Sequence, residues 1–155
     1  MQPPAAESQR IFKRDLLHNC TAIVTGGGSG IGLATAREML RLGAKVAICG
    51  RTPEKLEIAR TELAGLSSPD NVIAMACDIR EPAQVEAFVK HVVDAWGRVD
   101  ILVNNAGGQF PSPAQLISPN GFLAVVDLQQ SGRNPAIRLG YLRAYEIERL
   151  HFTQA

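Results

Sequence analysis

The stretch Thr25-Gly26-Gly27-Gly28-Ser29-Gly30-Ile31-Gly32 decides how this chain folds. It lies between an apolar run, Thr21-Ala22-Ile23-Val24, and a segment of helical spacing from Leu33 to Leu42. A glycine-rich turn between a parallel strand and a helix lets backbone N–H groups come close to a phosphate. The helix behind it adds roughly half a unit of positive charge at its N-terminus. The glycines permit the sharp turn and remove side chains that would hold a pyrophosphate away. The spacing is G-x-x-x-G-x-G over Gly26, Gly30 and Gly32. A side chain at Gly30 or Gly32 is therefore expected to press against the pyrophosphate. A flexible turn has a similar composition, but the strand before it and the helix after it favour a nucleotide site.

The flanking segments alternate strand and helix. Thr21–Thr25 is predicted as the first strand and Ile31–Leu42 as the first helix, stopped by Gly43 in the left-handed conformation that glycine adopts freely. Lys45–Cys49 is the second strand. Thr52 then offers a hydroxyl at the N-cap, and Pro53 pre-sets the first turn of a helix running to about Ala64. Val72–Ala76 is the third strand, Pro82–Trp96 the third helix with Gly97 at its stop, and Ile101–Asn104 the fourth strand. All four strands are near-continuous apolar runs, as expected where helices cover both faces of a parallel sheet. With right-handed crossovers such units build half of a doubly wound α/β sheet. Residues 1–14, polar and proline-containing, are predicted as a loose arm.

Composition narrows the function classes. A chain of 155 residues holds one domain with a real core. It is 46% hydrophobic with a net charge of +1, which argues against disorder and against electrostatic capture of nucleic acid. No apolar run is long enough to span a membrane, and the first dozen residues lack the apolar core of a secretion signal. Cys20, Cys49 and Cys77 are odd in number, lie in or beside predicted strands and lack metal-ligand spacing. They are expected to be reduced core thiols of a cytoplasmic protein. No metal site is expected. His18, His91 and His151 are unclustered and are expected on the surface.

The second informative site is the end of the second strand, where the ribose edge of a dinucleotide should sit. An acid there would grip the 2′-hydroxyl of NAD. This chain has Gly50-Arg51 and no acid until Glu54. A guanidinium suits a 2′-phosphate bidentately, and a charge-assisted hydrogen bond contributes roughly 1.5–3 kcal/mol. Arg51 therefore points to NADP(H) in preference to NAD(H), the alternative being a solvated arginine that opens a helix. Asp78-Ile79 follows the third strand and can lie beside the adenine, where a carboxylate accepts from the exocyclic amine. The alternative is an aspartate that merely ends a strand. Asn104-Asn105-Ala106-Gly107-Gly108 ends the fourth strand, on the edge where ligands bind open α/β sheets. Its asparagines can tie neighbouring loops together while its small residues leave room for ribose or nicotinamide.

Taken together, these motifs resemble the short-chain dehydrogenase/reductase family. Residues 25–32 match that family's T-G-x-x-x-G-x-G motif, Asp78 its adenine-binding aspartate, and 104–107 its N-N-A-G motif. The run from Asn105 to Ala114 is similar to the branch of trans-2-enoyl-CoA and 2,4-dienoyl-CoA reductases. The resemblance implies a Rossmann-type sheet and an NADP(H)-dependent oxidoreductase of fatty acid metabolism. It also implies cofactor contacts from Thr25, Gly26, Ser29, Gly30, Ile31, Gly32, Arg51, Asp78, Ile79, Asn104, Ala106 and Gly107.

The resemblance extends over about residues 11–128. Ser118-Pro119 is predicted to start a fourth helix, in which the family has an asparagine, followed by a strand with a serine and a helix carrying Tyr-x-x-x-Lys. In those enzymes the tyrosine donates a proton, and the lysine lowers its pKa and holds the ribose. Here Gln129 stands at the asparagine position, and no Tyr-x-x-x-Lys occurs anywhere. Tyr145 and Arg149 give Tyr-x-x-x-Arg with Ser131 upstream, but without the strand that would carry the serine. A terminal helix from about Ala136 to Leu150 is the plainer expectation. Residues 15–128 are thus expected to form an incomplete dinucleotide domain and 129–155 a divergent helical tail. No catalytic residue is assigned, and the chain as written is expected to be truncated and inactive. The alternatives are a non-catalytic nucleotide-binding fragment, an assembly partner of an intact relative, or an unstable product. An acyl-CoA or carbonyl substrate is expected only if the missing half is supplied. An unpaired flank on the fourth strand would favour homo- or hetero-oligomers.

Overall fold

The computed structural model describes residues 12–107, Arg14 excepted, together with Ser118. The expectations for the arm before Phe12, the fourth helix from Ser118-Pro119, Gln129, Ser131, Tyr145, Arg149 and the tail fall outside these residues. Four strands, β1 (Thr21–Thr25), β2 (Lys45–Gly50), β3 (Val72–Ala76) and β4 (Ile101–Val103), form one sheet in the order β3-β2-β1-β4. Every pairing is parallel, with Ile23 opposite Ala47 and Leu102, and Ala47 opposite Ile73. Three helices connect them: α1 (Gly30–Arg41), α2 (Pro53–Ala64) and α3 (Pro82–Trp96).

Alternation along the strands separates two cores. Ala22, Val24, Val46 and Ile48 point to the face covered by α1 and α2, which contribute Ala36, Leu40, Leu56, Ala59 and Leu63. Ile23, Ala47 and Cys49 point to the other face, where α3 contributes Val85, Phe88 and Val92. The helical residues recur at three- and four-residue spacing, the period that puts one stripe of a helix against a sheet. Gly43 and Gly97 follow α1 and α3 with φ of +94° and +81°, so both predicted stops lie in the left-handed region.

Small differences from the sequence-based expectation have physical reasons. The helix α1 begins at Gly30 rather than Ile31, β2 runs on to Gly50, and β4 ends at Val103. Thr52 sits at the N-cap in extended backbone, but its hydroxyl makes no capping bond. Pro53 at the first helical position removes one of the four unpaired N–H groups of the first turn. The strand β3 is only partly buried beyond Val72, because among the described residues it has a neighbour on one side only. Among the described residues β4 is the opposite edge, and all three of its residues are half-buried. The strand order reverses direction between β1 and β4. The chain steps outward from β1 through β2 to β3, then returns to the far side of β1, leaving a crevice at the carboxyl ends of the central strands.

Candidate functional site

A cleft of about 420 Å³ lies at that reversal point, lined by Gly26, Ser29, Ile31, Gly50, Arg51, Cys77, Asp78, Ile79, Arg80, Asn105, Ala106 and Gly107. Eight of the twelve residues expected at a cofactor site line it. The other four are Thr25, Gly30, Gly32 and Asn104.

The glycine turn is built in two parts. Its first half is tied down: the N–H groups of Gly26 and Gly27 both donate to the Cys49 carbonyl, at 2.8 and 3.2 Å. Gly27 has to be glycine because a Cβ there would sit 2.5 Å from Ile48 Cγ2. Its second half points outward. The ladder of α1 starts with Leu33 N–H donating to the Ser29 carbonyl, so the amides of Gly30, Ile31 and Gly32 precede the intrahelical bonds. Ser29 stands at the N-cap without using its hydroxyl as a cap, and the residue is exposed in the cleft. Ile31 is 79% exposed, an apolar side chain left at the rim where a ligand could cover it.

The two glycines expected to face a pyrophosphate divide. At Gly30 an added Cβ meets nothing within 4 Å, and φ is +56°, so this position does open onto free space. Gly32 is different, because the space above it is already filled by the protein. A Cβ there would lie 2.5 Å from both Asn105 Nδ2 and the Gly26 carbonyl oxygen. Gly32 is required because the β4 loop packs against the start of α1, before any ligand is considered.

That loop is fastened by Thr25. Its buried hydroxyl accepts from the backbone N–H of Asn105 and of Ala106, both at 3.0 Å, and lies 3.3 Å from the Val103 carbonyl as donor. Asn105 Nδ2 donates to the Thr25 and Gly26 carbonyls at 3.0 and 3.4 Å. Thr25 is thus a fastener inside the turn rather than part of the lining. Asn105 makes the tie between loops expected of the asparagines in this run, although the exposed Asn104 was the one expected to touch the cofactor. The signal for Asn105 was its place next to two small residues, where only one of two adjacent asparagines can turn back toward β1.

Arg51 and Asp78 stand on the far side of the cleft, after β2 and β3. Arg51 is exposed, with no hydrogen bond or ion pair to another described residue. Asp78 is gripped by Arg80, whose Nε donates to both carboxylate oxygens at 2.9 and 3.1 Å. The Arg80 backbone N–H also donates to Asp78 Oδ1, at 3.0 Å. These bonds, with a smaller contribution from the field of Arg51, hold the Asp78 carboxyl down at about 2. It is therefore ionised at any ordinary pH. Arg80 was not foreseen; the signal was an arginine two residues beyond an acid in a loop. Cys77 lines the cleft and shares a hydrogen bond with buried Cys49, which together with burial pushes the Cys49 thiol up. Among the described residues no cluster of acids, histidines and cysteines could hold a metal. None of their helices is long and apolar enough to cross a membrane.

Comparison with known proteins agrees with this architecture. The family model described as short chain dehydrogenase matches residues 20–138. A peroxisomal 2,4-dienoyl-CoA reductase from Danio rerio is 38% identical over 122 residues, which are 79% of this chain and 40% of that protein. A solved 3-ketoacyl-(acyl-carrier-protein) reductase from Brucella melitensis, complexed with NADH, superimposes with a TM-score of 0.72 at 35% identity. The match covers 82% of this chain and 51% of that one. A metagenomic short-chain oxidoreductase in complex with NADP gives a TM-score of 0.68 at 34% identity, covering 79% and 55%. The chain thus spans about two fifths of the curated relative and about half of each of these solved chains.

Proposed function

We infer a dinucleotide-binding role for this chain, which belongs to the short-chain dehydrogenase family. The family makes it an oxidoreductase with a nicotinamide dinucleotide as its partner. Beyond that, we read it as the NADP(H)-binding part of a reductase acting on enoyl thioesters, a reading supported by the dienoyl-CoA reductase among its relatives. Residues 15–128 would form the dinucleotide unit, with 1–14 as an arm and 129–155 as a tail. The free cysteines Cys20, Cys49 and Cys77 support a cytoplasmic setting.

The site fits such a group. The open space above Gly30 and the leading amides of α1 suit a pyrophosphate. Thr25, Gly26, Ser29, Gly30, Ile31 and Gly32 would make or shape that cradle. Asp78 and Ile79 would flank the adenine, and Asn104, Ala106 and Gly107 the nicotinamide side. When bound, the reduced nicotinamide supplies a hydride. The observation that carries the cofactor reading is Arg51, an exposed guanidinium in the cleft where an NAD site would place an acid. Structures of the family with NADH and with NADP both exist among its neighbours, so the preference rests on Arg51 and not on them.

Calorimetric titration with NADPH and NADH tests this. The wild type should prefer NADPH, and Arg51→Ala should remove on the order of 1–3 kcal/mol of that preference. Equal wild-type affinities would overturn the assignment. A second expectation concerns turnover. The 155 residues contain no Tyr-x-x-x-Lys, and a positioned general acid typically contributes 10²–10⁴-fold. Incubated with NADPH and crotonyl-CoA or a dienoyl-CoA, they should bind the cofactor without oxidising it appreciably. Robust oxidation abolished by Tyr145→Phe would instead make Tyr145 the donor.

A further inference from the structure

We propose that Arg80 selects between the two cofactors by changing partner: it holds Asp78 when no dinucleotide is present, and turns to the 2′-phosphate of NADPH while Asp78 receives the adenine amine. The proposal rests on the cofactor reading above and goes beyond it, because Arg51 alone was the expected phosphate ligand.

The geometry supplies three reasons. The Arg80 guanidinium occupies both oxygens of Asp78, through Nε at 2.9 and 3.1 Å and Nη2 at 2.5 Å. An amine approaching that carboxylate must displace at least one of these bonds. The two side chains are also unequally placed: Arg80 is 58% exposed and Asp78 only 19%. The arginine can therefore swing away while Asp78 stays where its backbone partners hold it, including the Arg80 N–H. Finally, Arg51 and Arg80 line the same cleft, and the charge of each acts on Asp78. A phosphate bound beside Asp78 would have two guanidinium groups in the same cleft to draw on.

The balance differs for the two cofactors. An exposed ion pair contributes little, at most about 1 kcal/mol, or roughly a fivefold change in affinity. NADH must break that pair and return the guanidinium to water, so it binds against a small penalty. NADPH breaks the same pair and offers the freed guanidinium a dianionic phosphate, a stronger partner than a single carboxylate. Arg80 would thus work against one cofactor and for the other. An arginine that merely braced the loop would affect both alike.

The test is titration of the full chain and of Arg80→Ala and Arg80→Lys with NADPH, NADH, adenosine 2′,5′-bisphosphate and 5′-AMP. Circular dichroism would confirm that each variant is folded. In Arg80→Ala, NADPH should weaken about tenfold, while NADH should tighten by about two- to fivefold as Asp78 is freed. The bisphosphate should follow NADPH and 5′-AMP should follow NADH. Arg80→Lys should keep part of the NADPH affinity. If both cofactors weaken together, or neither changes while Arg51→Ala still erodes the preference, the partner exchange is wrong and the cofactor reading stands. If the folded wild type binds none of the four probes, both fail.

Discussion

Gly32→Val should melt well below the wild type and bind no dinucleotide, and its instability should appear without any cofactor. The first added carbon alone, the Cβ, falls 2.5 Å from Asn105 Nδ2 and from the Gly26 carbonyl oxygen. Neither is the far end of a flexible chain: one belongs to a side chain fixed by two hydrogen bonds, the other to the backbone of the turn. Overpacking of this kind typically costs 1–3 kcal/mol and sometimes more. At about 3 kcal/mol, melting falls by roughly 6–12 °C for a chain of 155 residues. Gly30→Val makes the contrast. Its Cβ enters free space, so its cost in the unliganded chain is the left-handed backbone alone, roughly 1–2 kcal/mol. Thermal melts of both, with and without NADPH, separate the two roles. A Gly32→Val chain that melts like the wild type would refute the packing argument.

Phe88→Ala should be the most destabilising change in the α3 core, at about 3–5 kcal/mol. Phe88 is 2% exposed and is the largest fully buried side chain in the described structure. It packs in the cluster that holds Ile23, Ala47 and Cys49 from the sheet and Cys77 and Ile79 from the cleft wall. Domains of this size are stable by about 5–15 kcal/mol, so much of the total would be lost. Dinucleotide binding should weaken along with it, because two residues of the same cluster line the cleft. Lys90→Ala on the same helix is the control: its ion pair with Asp94 is exposed on both sides and contributes little. Urea titration gives both values. A Phe88→Ala cost under about 1 kcal/mol would mean that the sheet closes over the gap.

The sequence made the backbone legible because its signals were local. Apolar runs bounded the strands to within a residue, and Gly43, Pro53 and Gly97 marked helix ends through their own φ preferences. The adjacency of the glycine turn, Arg51, Asp78 and Ala106 followed from strand ends alone, since the reversal of strand order brings those ends together. What could not be read was the pairing of side chains across that edge. Whether Asn104 or Asn105 turns back toward β1 depends on where β4 stops, and it stops one residue earlier than the predicted end at Asn104. The role of Gly32 depends on the same loop, 73 residues away in the chain by its contact with Asn105. Arg80 was missed because an arginine in a loop carries no periodicity, and its meaning comes only from the carboxylate it reaches.

The fastening of Thr25 to Asn105 spans 80 residues of chain. Bringing ends that far apart together costs about 4 kcal/mol of closure entropy, and the bonds themselves cannot form until β4 has docked beside β1. During synthesis the glycine turn therefore emerges long before it can be set. Residues 25–32 leave the ribosome early, yet they acquire their working shape only when residue 106 has followed them out. A nascent chain arrested before that point should ignore a dinucleotide column, and one arrested well after it should be retained. Capture of the cofactor would then mark the moment at which β1 and β4 meet.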